Sequence, residues 1–305
     1  MSALRVTFLI PTWNRAALLA RAVASVLTQP SADAATVEII VVDDGSTDDT
    51  GVVLEGFTHD QRVRSFRQPT NRGVAAARNV GIRAATGSWI VLLDSDNALL
   101  PDTLPQLLAT LSDLPSQVGI FWGNCVDPDG QLTVKDTIRG VVPGVHLVEG
   151  RYVGEHFSAV RTSLARRHLF AELGTRNECA ACFWLPIALE SDVYKSPDPY
   201  QYYETAGDDR VTSYRSRRHR AGELVRCFEE TSARFGPLLL SRAPSFYWGL
   251  QGRIAFYRSV GGDWRGGLAA AIRAARGYRT VPGNLLVLLL CTAGPWATRL
   301  TLRTR

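Results

Sequence analysis

The chain has almost no lysine: of its 34 basic Lys and Arg residues, only Lys135 and Lys195 are lysines. The formal net charge of +5 therefore rests on arginine. Such a mild basic excess is compatible with anionic ligands or an acidic membrane surface, and it does not indicate a nucleic-acid partner. The 305 residues, 46% of them apolar and 21% charged, suffice for one large α/β domain with an appendage.

Two nucleotide-binding signatures are missing. No G-x-G-x-x-G follows the first apolar strand, which disfavours a dinucleotide-binding fold, and no G-x-x-x-x-G-K-[ST] occurs, which excludes a P-loop. The amino terminus also lacks a charged segment followed by an apolar one, so no secretory signal is predicted. We therefore expect a cytoplasmic protein with reduced thiols.

Cysteine is scarce, with five residues in the chain. Cys179-x-x-Cys182 has the spacing of a metal or redox motif, but no second CxxC exists, and a lone CxxC is a weak zinc signal. The surrounding segment 179–189 has the apolar character of a buried helix. We interpret these cysteines as structural.

Long apolar runs are also missing. From Ala221 onward the pattern is helical, with stretches at 246–257, 264–275 and 283–297. The last stretch contains Pro295 and is shorter than the roughly 20 residues that a membrane span needs. It is followed by three arginines, Arg299, Arg303 and Arg305. Two interpretations stay open: a helix lying in a membrane interface, or a helix packed on the domain.

The most informative stretch is 71–97. Its first part, Gly73 to Ala85, is rich in small helix-forming residues, and Trp89 to Leu93 is a short apolar run typical of a buried parallel strand. That strand runs directly into Asp94-Ser95-Asp96. Two carboxylates at the carboxyl end of a strand favour a shared cation, and hard oxygen ligands suit Mg²⁺ or Mn²⁺ bridging to phosphates. The alternative is a pair of solvated turn aspartates.

The preceding sequence alternates strands and helices. We predict strands at Leu4–Ile10, closed by Pro11, at Val37–Val42, which runs into Asp43-Asp44, and at Val63–Phe66. This βαβ repetition predicts a mostly parallel, twisted sheet flanked by helices. The polar residues that follow its strands should therefore meet at one edge of the sheet.

After residue 98 the order changes. The sequence predicts a helix at 101–111, an apolar strand at 119–126, and a hairpin partner at 131–138 after an Asp-Pro-Asp-Gly turn. We expect three parts: a first half at 1–98, a second half at 99–220, and a helical extension at 221–305.

Four motifs in this order and spacing carry a specific resemblance: PTWNR, VVDDGSTDDT, NRGVAAARNVGIRAATG and VLLDSDN. The chain resembles the family 2 glycosyltransferases of the GT-A fold, closely over the first hundred or so residues and loosely beyond. The resemblance implies binding of a nucleotide-diphosphate sugar. It makes 1–98 the nucleotide-sugar-binding half and 99–220 the acceptor-binding half. It assigns Pro11 and Asp44 to the base, usually uracil, with Thr12, Asn14 and Asp43 nearby.

The same resemblance assigns the diphosphate side of the donor. Arg78 is expected near the phosphates, Asp94 towards the ribose or sugar, and Asp96 on the divalent metal. Gly73 and Ser95 complete the expected nucleotide-sugar-binding set. The physical chemistry agrees, because a metal and an arginine would stabilise the charge that grows on the leaving diphosphate.

The catalytic base is the least regular feature. Relatives carry a Glu-Asp pair at the start of an apolar helix; here Glu178 matches the first acid, and Cys179 stands at the second. We predict that Glu178 takes the proton of the acceptor hydroxyl. The alternative is a helix-start acid without chemistry. Other acids are poorer or later candidates: Glu155, Glu172, Asp192, Asp208 and Asp209.

The resemblance therefore predicts a metal-dependent, inverting transferase. Its donor would be a nucleotide-diphosphate sugar, most simply a UDP-sugar, and its acceptor a hydroxyl of a glycan or lipid-linked glycan. We expect no nucleic-acid partner and a cytoplasmic protein; a peripheral position at the inner face of the membrane is one of the two interpretations left open for the last helix. The alternative is a nucleotide-sugar-binding module that has lost catalysis, for which Cys179 is the strongest sign.

Overall fold

A computed structural model of the protein describes residues 4–150, 154–175, 178–204, 220–277 and 279–293. The chain divides into two compact units. The first comprises Met1–Leu147, Tyr152–Gly174 and Phe183–Ala206; the second comprises Val148–Arg151, Thr175–Cys182 and Gly207–Arg305. The predicted division of the first unit into donor and acceptor halves at residue 98 stays a prediction.

The first unit is built on one mixed sheet. Its strands within the described residues are β1 (Val6–Thr12), β2 (Val37–Asp43), β3 (Val63–Arg67), β4 (Trp89–Leu92), β5 (Ala98–Leu99), β6 (Val118–Val126), β7 (Gly140–Val142), β8 (Phe157–Arg161) and β9 (Asp192–Tyr202). They lie in the order β3-β2-β1-β4-β8-β6-β9-β5, with β7 paired to β9. The pairings among β1–β4 are parallel, whereas β8 joins β4 and β6 in antiparallel orientation.

The parallel half follows the sequence pattern closely. Every residue of β1 and β2 is buried, as expected for strands covered on both faces. The predicted end of the first strand at Ile10 was wrong, because β1 continues through Pro11 to Thr12. The missing N–H of Pro11 is tolerated there because β4 pairs with β1 only as far as Leu9, so no neighbouring strand needs that donor.

Helices of the first unit connect these strands. They are α1 (Ala16–Leu27), α2 (Thr50–Glu55), α3 (Val74–Ala84), α4 (Leu104–Asp113), α5 (Val145–Val148) and α6 (Thr162–Arg167), while α7 (Ala180–Glu190) runs across the boundary of the two units. Helix α3 packs closely on β1, because a Cβ at Gly81 would lie 2.0 Å from Cδ1 of Leu9. The small residues predicted to form this helix therefore permit its approach to the sheet.

Two predictions in the later half were wrong in detail. The helix predicted to open at Pro101 begins at Leu104, because Asp102 has φ +60° and cannot belong to a right-handed helix. The predicted strand at 131–138 is reduced to an isolated bridge between Val126 and Leu132. Strand β8 had no counterpart among our predictions, although it joins the parallel half to β6.

The second unit is helical in its described part. After α7, its helices are α8 (Ala221–Arg242), α9 (Pro244–Val260), α10 (Trp264–Ala275) and α11 (Gly283–Thr292). The four residues 294–297 of the last predicted helix and the three terminal arginines fall outside the described residues. Among the helices that the structure describes, none combines the length and apolarity needed to cross a bilayer.

Candidate functional site at the carboxyl ends of the parallel strands

The ends of β1 and β2 bring two buried polar side chains together. Thr12 and Asp43 are register partners in the parallel pair, and both are buried. Asp43 Oδ1 accepts a hydrogen bond from the backbone N–H of Ser46 at 2.8 Å, and Arg67 Nε lies 3.5 Å from Oδ2. Within the described residues, Asp43 Oδ2 and Thr12 Oγ1 have no hydrogen-bond partner. Buried polar atoms rarely lack a hydrogen-bond partner, so both atoms are available to a ligand.

Asp44 follows Asp43 and has a different environment. Its Oδ1 accepts from Gln68 Nε2 at 2.7 Å and from the backbone N–H of Arg72 at 2.8 Å, while its Oδ2 accepts from the N–H of Gly73 at 2.8 Å. Burial raises the pKa of Asp44, and the charge of Asp43 adds to that rise. These bonds fix the start of α3. The predicted contact of Asp44 with the base stays a prediction.

Two glycines permit this arrangement. Gly45 has φ +75°, and a Cβ there would lie 2.8 Å from the carbonyl carbon of Thr70. Gly73 has φ +91° immediately before α3. Both positions favour glycine because other side chains are strained at positive φ. The close approach of the two loops brings Asp44 to the N–H groups that bind it.

Asn14 connects the loop after β1 to the loop after β2. Its backbone N–H donates to Ser46 Oγ at 2.9 Å, and its Oδ1 accepts from the backbone N–H of Thr47 at 2.7 Å. Asn14 has φ +51°, which asparagine tolerates better than most residues. The structure therefore places Pro11, Thr12 and Asn14 beside the end of β2, as predicted from convergent strand ends.

The acidic turn after β4 is bound by three arginines. Arg78 is buried and donates to Asp94 Oδ1 at 2.6 Å. Arg15 pairs with the carboxylate of Asp96, and Arg21 donates to the carbonyl oxygen of Asp96. Burial raises the pKa of Asp96, and the charge of Asp94 raises it further, whereas Arg15 opposes the shift. Charge on these acids is thus balanced by cations from α1, α3 and the first loop.

The acidic residues fit a divalent metal whose remaining ligands would come from a diphosphate. Among the described residues, no group of three or more His, Cys, Asp or Glu side chains could hold a metal alone. Mg²⁺ is commonly bound by one or two carboxylates together with substrate phosphates, so a full protein cage is not required. Asp94 and Asp96 supply hard oxygen ligands, and the raised pKa of Asp96 reflects a desolvated acid close to a second acid.

Residues that the motifs did not single out hold the site in place. Arg15 lies inside the PTWNR motif, so its position was a usable signal, whereas nothing in the sequence marked Arg21. Asn97 Oδ1 accepts from the backbone N–H of Glu204 at 3.1 Å, which attaches the end of β9 to the acidic turn. Ser95, buried within that turn, completes the predicted set.

The loop after α6 supports α3 from the other side. Asn79 exchanges hydrogen bonds with the backbone of Phe170, at 3.0 and 2.9 Å, and donates to Glu172 at 2.8 Å. Arg72 also donates to Glu172, and the guanidinium of Arg78 lies 5.3 Å from the ring centroid of Phe170. Glu172 therefore has a structural role.

A polar cluster occupies the later half of the first unit. His156 stacks on Trp122 with centroids 4.5 Å apart, and its Nδ1 lies 3.2 Å from the carbonyl oxygen of Gly154. The buried Lys195 pairs with Asp136. Burial lowers the pKa of His156 to about 4, and the charge of Lys195 contributes to that shift. His156 is therefore neutral at neutral pH.

Glu178, the predicted base, lies two residues before α7 and is partly buried in the second unit. Its catalytic role stays a prediction. The alternatives Asp208 and Asp209 lie outside the described residues.

Comparison with known proteins gives matches along most of the chain. The sequence model described as Glycosyl transferase family 2 matches residues 7–174. Succinoglycan biosynthesis protein ExoO of Rhizobium meliloti (strain 1021) is 38% identical over 126 residues, which cover 41% of this chain and 35% of that protein. The chain thus spans only about a third of the length of that relative.

A second relative is matched over more of its length. The GalNAc(5)-diNAcBac-PP-undecaprenol beta-1,3-glucosyltransferase of Campylobacter jejuni (subsp. jejuni serotype O:2) is 29% identical over 216 residues, covering 68% of this chain and 67% of that protein. Among solved structures, S. aureus TarS 1-349 in complex with UDP-GlcNAc superposes with a TM-score of 0.62 at 16% identity. That likeness covers 94% of this chain and 90% of the other, and it concerns the fold.

Proposed function

Because the chain belongs to glycosyl transferase family 2, we propose that it transfers a sugar from a nucleotide-diphosphate sugar to a hydroxyl acceptor, with inversion at the anomeric carbon. The predicted α/β fold of GT-A type, with a helical carboxyl-terminal region, is confirmed. The observation that carries the proposal is the meeting, at one sheet edge, of unsatisfied buried atoms on Thr12 and Asp43 with the acidic turn after β4.

We assign the nucleotide to the ends of β1 and β2 and favour uracil as its base. A pyrimidine edge offers both N–H donors and carbonyl acceptors. Asp43 Oδ2 can only accept a hydrogen bond, whereas Thr12 Oγ1 can donate or accept, so the two atoms match such an edge. The structural likeness to TarS, whose complex contains UDP-GlcNAc, supports this choice of donor class. Asp44 and Asn14 act beside them by fixing the two loops.

We assign the diphosphate to the acidic turn. Asp96 would hold a Mg²⁺ or Mn²⁺ ion, with Asp94 towards the ribose or sugar, and the metal would stabilise negative charge on the departing diphosphate. Arg78 lies against Asp94 and can offer its guanidinium to a phosphate oxygen. Arg15 now neutralises Asp96, so a bound cation would take over that role and release Arg15 towards the phosphates.

We retain Glu178 as the base that accepts the proton of the attacking hydroxyl. Its support is its place in the chain, at the first acid of the family's Glu-Asp pair, before the apolar helix α7. Cys179, at the place of the second acid, favours the competing proposal of a binding module without catalysis. Both proposals predict donor binding, but only the transferase proposal predicts turnover.

For the acceptor we propose a glycan or lipid-linked glycan at an anionic membrane surface. The Campylobacter relative is named for an undecaprenol-linked substrate, and the Rhizobium relative is named for succinoglycan biosynthesis. Helix α11 supports the membrane part, because it exposes Leu285, Leu286 and Leu289, at 44%, 60% and 64%. Exposed apolar side chains on a chain of net charge +5 fit an anionic interface.

The test is a screen of nucleotide sugars for hydrolysis by the full chain. UDP- and GDP-linked sugars are incubated with Mn²⁺, with Mg²⁺ and with a chelator, and release of the nucleoside diphosphate is followed. The proposal expects slow, metal-dependent release from at least one UDP-sugar. Binding of UDP with no release from any donor, even with glycan acceptors added, would favour the binding module. Absence of both binding and release would contradict the proposed function.

A further inference from the structure

Three buried thiols meet in the second unit. Cys179 lies just before α7, Cys182 is in its first turn, and Cys227 is in α8. Cys179 Sγ lies 3.0 Å from Cys182 Sγ, 3.2 Å from the carbonyl oxygen of Cys227, and 3.3 Å from Thr231 Oγ1. In the described part of the chain, none of the three forms a disulfide. The proposed glycosyl transfer gives none of them a role.

The backbone between the first two cysteines already has the shape that a disulfide needs. The backbone N–H of Cys182 donates to the carbonyl oxygen of Cys179 at 2.9 Å, which closes a turn. Residues at the two ends of such a turn have Cα atoms within about 7 Å, and disulfides span about 4.4–6.8 Å. The two sulfurs already touch, so forming the bond requires little movement of the chain.

The electrostatics distinguish one sulfur as the nucleophile. Pairing with the thiols of Cys182 and Cys227 lowers the pKa of Cys179, whereas the same pairings raise the pKa of both partners. A position at the start of a helix further favours a thiolate. Cys179 is therefore the sulfur that loses its proton first, and Cys182 is a protonated thiol in contact with it.

We propose that Cys179 and Cys182 form a site of reversible oxidation, closing to a disulfide when the protein meets a hydroperoxide. The proposal rests on the contact of the two sulfurs and on the turn that joins them. It is independent of the proposed sugar transfer.

The chemistry balances in two steps. The thiolate of Cys179 attacks one oxygen of H₂O₂, the O–O bond breaks, and a sulfenic acid and hydroxide form. The thiol of Cys182 then attacks the sulfenic sulfur, the S–S bond forms, and water leaves with the proton of Cys182. Two thiols lose two electrons in total, and the peroxide receives both. A dithiol reductant restores the thiols by exchange.

Two other cysteines provide internal controls. Cys125 is buried in β6, and burial raises the pKa of its thiol to about 12. Cys291 is buried in α11, and burial raises its pKa as well. The protonated thiol reacts slowly with peroxide, so these cysteines should stay reduced under conditions that oxidise the pair. This selectivity distinguishes oxidation at the proposed pair from general oxidation of thiols.

The experiment is disulfide mapping of the wild-type full chain. The protein is exposed to H₂O₂, denatured in N-ethylmaleimide, digested without reductant and analysed by mass spectrometry. We expect loss of two alkylatable thiols, a Cys179–Cys182 peptide lighter by two hydrogen atoms, its return to the alkylated form after dithiothreitol, and full alkylation of Cys125 and Cys291.

Variants separate the two chemical steps. Cys182→Ser should stop at the sulfenic acid of Cys179, trapped by dimedone, whereas Cys227→Ser should still form the disulfide; circular dichroism checks that each variant folds. Three outcomes, each measured on the wild-type chain without any variant, would overturn the proposal. These are full alkylation of both cysteines at doses that oxidise glutathione in the same tube, a dominant Cys179–Cys227 link, or stoichiometric thiol-bound metal in the purified protein.

Discussion

The two halves of the first unit hold their buried polar groups in different ways. In the parallel half, Asp43, Asp44 and Asp96 follow the ends of strands and are bound by loop backbone or by arginines. In the later half, His156 lies beside β8 and stacks on Trp122 of β6, and Lys195 lies within β9 and pairs with Asp136 of the loop before β7. Buried charge in the first half is therefore accessible to ligands at one edge, whereas in the second it is part of the packing.

The largest expected effect is on catalysis and concerns Glu178, which lies outside this comparison, in the second unit. Glu178→Gln keeps size and hydrogen bonding but removes basicity, so kcat on an acceptor should fall by about 10²–10⁴-fold. UDP affinity should stay near that of the wild type. Steady-state kinetics and a UDP titration on the same preparation measure both.

Cys179→Asp is the companion variant, because it restores the family's second acid. If the family's usual base geometry is present, this variant should maintain or raise activity and rescue Glu178→Gln. Wild-type kcat in Glu178→Gln would move the base to Asp192, Asp208 or Asp209. Turnover that exists only in Cys179→Asp would favour the binding module.

His156 gives the next effect, on stability against pH. Its pKa of about 4 in the folded chain lies below its ordinary value of 6.5, so between these pH values the unfolded chain binds a proton that the folded chain does not. The free energy of unfolding should therefore fall as pH drops through this window, by up to about 3 kcal/mol. Urea unfolding at several pH values measures the slope.

The matched variants are His156→Gln and His59→Gln, because His59 is an exposed histidine of the same unit. The first should flatten the slope between pH 6.5 and 4, and the second should leave it unchanged. An unchanged slope in His156→Gln would mean that the histidine is not packed as a neutral group.

In the parallel half, Asp44→Asn should cost about 2 kcal/mol of stability, because an amide N–H would then face a backbone N–H or the Gln68 amide. The loss is moderated because burial already raises the pKa of Asp44 and disfavours its charge. Asp49→Asn is the control, since Asp49 is exposed and makes no capping hydrogen bond. Equal midpoints in urea for the two variants would show that the loop bonds contribute little.

The same difference explains which parts of the fold and of the candidate site the sequence could predict. The parallel half was predictable because each ligand group follows its own strand within one motif, and βαβ order fixes which ends meet. Strand β8 was missed because five residues, FSAVR, pair with β4, which lies about seventy positions earlier. Pairing of this kind depends on tertiary context rather than local pattern. The bonds of Arg21 and Glu204 were unpredictable for the same reason.

The smallest expected effect lies outside this comparison, in the second unit. Replacing Leu286 and Leu289 together by serine should weaken binding to anionic vesicles about tenfold, because each leucine would lose a part of the roughly 1.5–3 kcal/mol that full burial contributes. Co-sedimentation measures it, and high salt should weaken wild-type binding only in part. Val52→Ser is the control, since Val52 is 66% exposed in the first unit. Unchanged vesicle binding by the double variant would leave α11 as a packed helix.

The central claim is that the acidic turn after β4 binds a nucleoside diphosphate through a divalent metal. Isothermal titration of UDP into the full chain, with Mn²⁺ and with a chelator, tests it most directly. We predict binding that requires Mn²⁺ and that weakens by about 10²-fold in Asp96→Asn, because a charge-assisted metal contact is lost. The control Asp102→Asn, an exposed residue at φ +60°, should bind as the wild type does. Equal UDP affinity with and without metal, or in Asp96→Asn and the wild type, would contradict the account.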